Sequence, residues 1–426
     1  MKLGREHFSS DFAAVLAMAG SAIGLGNIWR FPYMTGQNGG AAFILIYIVC
    51  VFFLALPIFF AESVIGRTTQ SNTFGAIRKI APGSRLKWLG LLTVITPLVI
   101  LSYYSVVGGW SVEYLFVSIC SGFDEDVSSF FNEFTSSGVG PLACHTVFLL
   151  LTAFIVLEGV KSGIEKFNKV SIPVLFILML VIVAYSVTLP GSGPGISYMI
   201  RPDFSQITPR TFAYAMGQGF FSLSLGVGTV LTYSSYMGGR SGIVRAGIWT
   251  AVFDLTFAII AGFAIMPAVF AAGIEPGAGP GLIFETLPYI FVKMGSGSAI
   301  ISRAVAVLFF LTIVVAALTS SISMYEVGVA YLTEEKKMSR KKAVIVIFAS
   351  TWVLGAVCSV FSGAFSFCDS LTSNFLMTFG ALLFVYLAGW KMDKSLVRKE
   401  LYPAYSFVRY VAPPAIIAIF VTNFII

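Results

Sequence analysis

Ser21-Ala22-Ile23-Gly24-Leu25-Gly26 and, about two hundred residues later, Leu223-Ser224-Leu225-Gly226-Val227-Gly228 are the two runs whose reading decides the fold. Each places a Gly-x-Gly inside an apolar stretch long enough to cross a bilayer. Glycine in a helix interior costs about 1 kcal/mol relative to alanine. A break inside lipid also strands backbone groups where no water can bond them, so it survives only where it lines a cavity or a site. Interrupted segments at corresponding places in two halves of a chain point to the substrate and ion site of a secondary transporter. A lone Gly-x-Gly is a weak signal; the paired break, with polar neighbours, is much stronger.

Composition agrees. The chain of 426 residues is 57% hydrophobic and 11% charged, with a mean hydropathy of +0.89. A soluble domain carries about 25% charged residues, so this is a polytopic membrane protein. Eleven apolar segments reach spanning length, at about 12–36, 41–66, 88–120, 141–159, 167–189, 211–237, 244–272, 299–333, 342–361, 367–390 and 403–425; roughly 20 residues are needed for each. Several are longer than a span requires, which predicts tilt, breaks or extension beyond the membrane. The first run is too long for a cleavable signal peptide and has no small-residue cleavage site. No soluble linker divides the chain, so residues 1–426 are expected to form one membrane domain.

Most of the 27 Lys and Arg fall at the N-terminus and the even-numbered junctions, in groups such as Arg78, Lys79, Arg85 and Lys87, or Lys336, Lys337, Arg340, Lys341 and Lys342. The longest opposite junction, around Asp124-Glu125-Asp126, has none. The positive-inside rule then puts the N-terminus in the cytoplasm and, after eleven crossings, the C-terminus outside. The net charge of +7 is this bias; no basic run is interleaved with aromatics as a nucleic-acid surface would be. The five cysteines show no metal spacing, and the two histidines form no motif. Cys120 and Cys144 both fall near the outer surface, where pairing is open. No HExxH, Walker sequence or GxSxG appears, so the chain is not expected to be an enzyme.

Ionisable residues inside spans are expensive and are site candidates by default. Here they are Arg30, Glu62, Glu113, Asp254, Glu326 and Asp369. Arg30 and Asp369 fall on the outer side, placed to pair across a vestibule, or else to anchor at the interface. Glu62 and Glu326 are placed to accept from backbone N–H groups freed by the breaks. Asp254 stands mid-span with no Lys or Arg within a turn or two. A nearby cation would keep it charged; a neutral, hydrogen-bonded carboxyl is the plainer alternative. Ala22, Ile23 and Asn27 surround the first break, and Gln218, Ser222 and Ser224 the second. The eighth segment adds Ala316, Thr319, Ser320 and Ser321. Singly, a membrane Ser or Thr bonds back to its own i−4 carbonyl. Three adjacent hydroxyls exceed what one helix needs, and carbonyl, amide and hydroxyl oxygens suit a hard monovalent cation.

These residues resemble the neurotransmitter:sodium symporters, with their LeuT-type fold. The resemblance covers nearly the whole chain. It is most specific at Ala19 through Pro32, at Asn38-Gly39-Gly40, at Tyr103-Tyr104 with Trp110, at Gln218 through Gly228, and at Ala316 through Ser321. The chain is similar to bacterial members that stop after eleven helices. The resemblance implies five helices and five in inverted repeat, about 8–190 and 205–390, with the first and sixth broken and an eleventh at about 403–425. It implies a bacterial inner (plasma) membrane location.

The resemblance also implies two sodium sites. The first uses the Ala22 carbonyl, Asn27, Ser222, Asp254 and the substrate carboxylate. The second uses carbonyls of Gly20, Ile23 and Ala316 with the hydroxyls of Thr319 and Ser320. The N–H groups of Leu25 and Gly26 and the Tyr104 hydroxyl would hold the substrate carboxylate, and carbonyls around Ala22, Phe221 and Ser222 its ammonium. Tyr104 with Phe221 would form the lid, Arg30 with Asp369 the outer gate, and Arg5, Glu334 and Tyr236 the inner gate. Phe8 stands where the family often has Trp. Many members have Asn at the position of Asp254, and animal members add chloride nearby, so a carboxylate here implies no chloride requirement. Monoamine carriers place Asp at the position of Gly24, so glycine favours an amino acid.

The side chain of that amino acid would meet Ile100, Tyr104, Phe221, Ser224, Val227, Ser320 and Met324, a mostly apolar lining. The expected function is sodium-coupled uptake of a neutral, hydrophobic or aromatic amino acid. Expected partners are that amino acid, sodium ions and the lipid bilayer, with a homodimer left open and no nucleic acid. Two alternatives stand beside it. One is a proton-coupled carrier on the same fold with Asp254 as proton site, against which the hydroxyl cluster argues. The other is a non-transporting amino-acid sensor, against which the short termini and loops argue.

Overall fold

The computed structural model describes residues 6–124, 126–238, 242–275, 283–294, 298–402 and 404–425. They form helices joined by short loops, with no strand among the described residues. Eight helices are long and apolar enough to cross a membrane by themselves: Ala41–Thr69, Leu86–Cys120, Val139–Leu157, Val160–Val187, Ile243–Ala271, Ile300–Glu335, Arg340–Val360 and Ser362–Lys391. A ninth span is a bent pair, Asp11–Ala22 and Gly26–Gln37, at 54° to one another. The sixth segment is broken too, into Pro209–Ser222 and Thr229–Ser234. With the apolar helix around Phe407–Val421, the eleven segments read from the sequence each have a helical counterpart.

The first span starts where Ser10 caps it, its hydroxyl accepting from the Ala13 N–H at 3.1 Å. It stops at Ala22 because the following N–H groups find other partners. The Gly24 N–H donates to Asn27 Oδ1 (3.0 Å), and the Leu25 N–H to the Tyr104 hydroxyl (3.2 Å). In an unbroken helix they would have gone to Gly20 and Ser21. The break therefore releases carbonyls of the preceding turn.

In the sixth span the break is held open by backbone shape. Ser224, Gly226 and Gly228 have φ of 52°, 80° and 74°. At Gly226 a side chain would run into the Met377 carbonyl of the tenth span, so only glycine fits both the turn and the approach. The freed Gly226 N–H donates to Glu62 Oε1 at 2.7 Å. Glu62 is fully buried on the second span. The two breaks lie side by side: Ser224 Oγ donates to the Ser21 carbonyl (3.1 Å), and Asn27 Nδ2 to Ser222 Oγ (3.2 Å). The third and eighth spans, packed on each other, enclose the pair.

Candidate functional site

The junction of the breaks encloses a small cavity of about 40 Å³. Ala22, Gly24 and Gly26 line it from the first span, Ile100 and Tyr104 from the third, and Phe221, Ser222, Ser224 and Val227 from the sixth. Ser320 and Met324 of the eighth complete it with Met377 of the tenth, a residue that no sequence signal singled out. Every residue assigned to the side-chain lining from the sequence is therefore at this cavity. Leu25 is not; it faces the neighbouring outer vestibule. Its N–H donates to the Tyr104 hydroxyl.

On one side of the cavity lies a cluster built on Asp254, which is fully buried, as is Asn27. Ser222 Oγ donates to Asp254 Oδ1 (2.8 Å) and Oδ2 (2.9 Å), and Asn27 Nδ2 donates to Oδ1 (2.7 Å). The buried Tyr47 ring of the second span faces the same group, a neighbour not foreseen from the sequence. No cationic side chain pairs with Asp254 among the described residues. A carboxylate in low dielectric is costly unless a cation or several donors face it.

A second cluster joins the first and eighth spans. Thr319 Oγ1 donates to the carbonyls of Ile23 (3.1 Å) and Ala316 (2.8 Å), and Ser320 Oγ reaches those of Ile23 and Ser21, both at 3.3 Å. Gly20 sits one turn earlier, against Asn168 of the fifth span. Ser321 bonds back along its own helix to Ala317 at 2.8 Å and makes no bond across to the first span. So two of the three adjacent hydroxyls are spent between helices, where their oxygens and the released carbonyls form one knot. No group of His, Cys, Asp and Glu suited to a transition metal occurs among the described residues.

Above the cavity, Tyr104 and Phe221 separate it from a vestibule of about 410 Å³ that Arg30 and Asp369 both line. The Arg30 guanidinium stands 5.0 Å over the Phe221 ring. Among the described residues no ion pair joins Arg30 to Asp369; Asp369 Oδ1 accepts from Ser373 at 3.3 Å. The expected outer pair thus faces across open space.

The opposite side is latched. The Phe8 N–H donates to the Tyr236 carbonyl (3.0 Å), and the Phe8 ring meets Tyr233 and Tyr236 edge-on. The Tyr236 hydroxyl donates to Glu326 Oε1 (2.7 Å), and Arg340 forks onto both oxygens of Glu326 (2.6 and 3.2 Å). The sequence places Glu326 to accept from backbone N–H groups freed by a break; instead Arg340, the first residue of the helix Arg340–Val360, pairs with it. Glu334 accepts from the Asn72 N–H (2.8 Å) and Nδ2 (2.9 Å). Arg5 lies outside the described residues. Cys120 and Cys144 are both free thiols.

This architecture has known relatives. The sequence model of the "Sodium:neurotransmitter symporter family" matches residues 5–135 and 123–390. The chain belongs to the sodium:neurotransmitter symporter family. It is 35% identical to an uncharacterized sodium-dependent transporter of Bacillus subtilis, over 97% of this chain and 96% of that one. It is 32% identical to another from Haemophilus influenzae, over 98% of each. The crystal structure of MhsT in complex with L-phenylalanine superposes with a TM-score of 0.89 at 37% identity, covering 99% of this symporter and 100% of MhsT. The protein is a multi-pass membrane carrier that couples transport to sodium, and not an enzyme.

Proposed function

We propose that this symporter carries a neutral, hydrophobic or aromatic amino acid into the cell together with two sodium ions, without chloride, by alternating access. One observation carries the reading. Two broken helices meet at a mostly apolar cavity flanked by two oxygen clusters, one of which holds a buried carboxylate with no cationic partner among the described residues. In this reading the first ion sits among Ala22, Asn27, Ser222 and Asp254, and the second among Gly20, Ile23, Ala316, Thr319 and Ser320. The substrate carboxylate meets the N–H groups of Leu25 and Gly26 at the start of the second half-helix, where the helix dipole favours a negative charge. Its ammonium meets carbonyls near Ala22, Phe221 and Ser222.

The cavity is too small for a large side chain as it stands. Met324 and Met377, unbranched and pliable, and the Phe221 lid are the parts that give way. The solved complex of MhsT with L-phenylalanine supports an aromatic substrate in this family fold. A closed latch on the Phe8 side and a vestibule on the Arg30 side correspond to a carrier shut towards the cytoplasm. This uses the orientation in which the N-terminus is cytoplasmic, the C-terminus outside, and the membrane a bacterial plasma membrane.

The deciding experiment is uptake of labelled amino acids into proteoliposomes, with sodium, chloride and pH varied one at a time. Sodium-dependent, chloride-independent uptake of phenylalanine, tryptophan or leucine is expected. Uptake driven by a proton gradient without sodium would replace this reading with the proton-coupled one. Binding without accumulation would favour a sensor.

A further inference from the structure

Away from the transport path, the third, tenth and eleventh helices enclose an apolar groove of about 360 Å³. Leu89, Phe379, Leu382, Tyr386, Trp390 and Pro413 line it. Pro413 lies one turn beyond Arg409 on the eleventh helix, so Arg409 marks the groove's N-terminal-side mouth. There the Arg409 guanidinium stands 5.5 Å from the centre of the Trp390 ring, and Lys391 Nζ 5.8 Å from that of Tyr386. On the third helix Leu86 and Leu89 face the groove, while Lys87, on the other side of that turn, stands 5.6 Å over Trp88.

None of these three cations is ion-paired among the described residues. Arg409 donates to the Tyr405 hydroxyl at 2.7 Å, while its Nε is buried with no acceptor. Asp393, the acid nearest Lys391 in sequence, uses its carboxylate to cap the helix that follows. Trp390, Tyr386 and Trp88 are 43%, 39% and 60% exposed, the amphipathic rings expected where hydrocarbon gives way to headgroups.

We propose that this groove is a binding site for an anionic phospholipid of the cytoplasmic leaflet. One acyl chain lies along Leu89, Phe379, Leu382 and Pro413, and the phosphate sits on Arg409 and Lys391. Charge complementarity selects the headgroup: two unneutralised cations favour a lipid with net negative charge over one that brings its own ammonium. The apolar channel beneath them fixes a chain in place, which a merely basic surface does not. The assignment to the cytoplasmic leaflet rests on the orientation proposed above; the site itself does not.

The test is lipid retention by the full-length protein, extracted in mild detergent from vesicles of equal parts phosphatidylglycerol and phosphatidylcholine with matched chains, and read by native mass spectrometry. Wild type should keep one phosphatidylglycerol with a preference of about tenfold or more. Wild type that retains both lipids equally overturns the proposal, whatever the variants do. K391Q/R409Q should bring the preference close to one. K336Q/K341Q, which removes the same charge elsewhere, should keep it; an equal loss there would assign the effect to overall charge and refute a site. Leu382→Trp should fill the groove and release lipid with the cations intact; undiminished retention in that variant would show that no chain occupies it. The readout needs no transport, so it stands or falls separately from the proposed function.

Discussion

Asp254 is the residue whose surroundings say most about chemistry. Its two oxygens take donors from Asn27 and Ser222, and the protein offers it no cation among the described residues. If its fixed charge takes the place of a chloride ion, Asp254→Asn should cut sodium-driven uptake by about tenfold or more at low chloride, since a neutral amide leaves a sodium ion uncompensated in low dielectric. Added chloride should restore part of it. Identical chloride curves for wild type and variant, measured in proteoliposomes, would leave Asp254 as an ordinary oxygen ligand. Thr319 and Ser320 make a second residue-scale case. Both hydroxyls reach across to first-span carbonyls, Thr319 while also donating back to Ala316 on its own helix. Thr319→Ala with Ser320→Ala should raise the sodium concentration needed for half-maximal binding by about tenfold or more, because a dry site offers no substitute oxygens. Ser321→Ala, which removes only an i−4 back-bond, should change it little. Sodium titration of substrate binding separates the two variants.

Among the elements, the broken sixth span shows how sequence and neighbours share the work. Its glycines permit the turn, but Glu62 on the second span accepts the Gly226 N–H that the turn releases. Glu62→Ala should destabilise the protein by roughly 1–3 kcal/mol, the range for a buried donor left without an acceptor. Glu62→Gln keeps an acceptor oxygen and should lose clearly less. Gly226→Ala should be worse than either, by about 2 kcal/mol or more, because the new Cβ meets the Met377 carbonyl at a backbone angle that side chains avoid. Thermal unfolding of the purified variants gives the order. A Glu62→Gln variant as unstable as Glu62→Ala would mean that the carboxylate's charge, and not its hydrogen bond, is what the break needs.

For the whole molecule, the closed latch around Tyr236, Glu326 and Arg340 and the vestibule around Arg30 and Asp369 define one end state of a two-ended cycle. Two sodium ions with a zwitterion would carry two charges inward per turn. At about 2.3 kcal/mol per charge per 100 mV, that is roughly 4.6 kcal/mol, or on the order of a thousandfold accumulation before the sodium gradient adds more. Uptake should therefore rise with an inside-negative potential set by a potassium gradient and valinomycin. Uptake indifferent to that potential would contradict two uncompensated sodium ions. Arg340→Ala should loosen the latch on the Phe8 side, since Glu326 would lose its guanidinium partner while staying buried. Cysteine accessibility on the latch side of the cavity is the measurement, and an increase is expected.

The sequence alone marked the class, the spans and where the candidate site lies. Apolar runs of spanning length leave no other solvent than lipid, and a glycine break repeated in two of them is tolerable only beside a cavity. The cavity lining from Ala22 to Met324 was legible for the same reason: its residues cluster at the breaks and on the hydroxyl-bearing face of the eighth span. Pairings between distant helices were decided only in three dimensions. Nothing local to Glu326 tells it from Glu62, yet Arg340 and Tyr236 take one carboxylate and the Gly226 N–H takes the other. Met377 and Tyr47 reach the site from the tenth and second spans, far in sequence from either break, so nothing in their local sequence marks them. The gap between Arg30 and Asp369 is likewise a property of the conformation. A membrane sequence states which groups must find partners, because lipid offers none; which partner each one finds depends on how the helices pack.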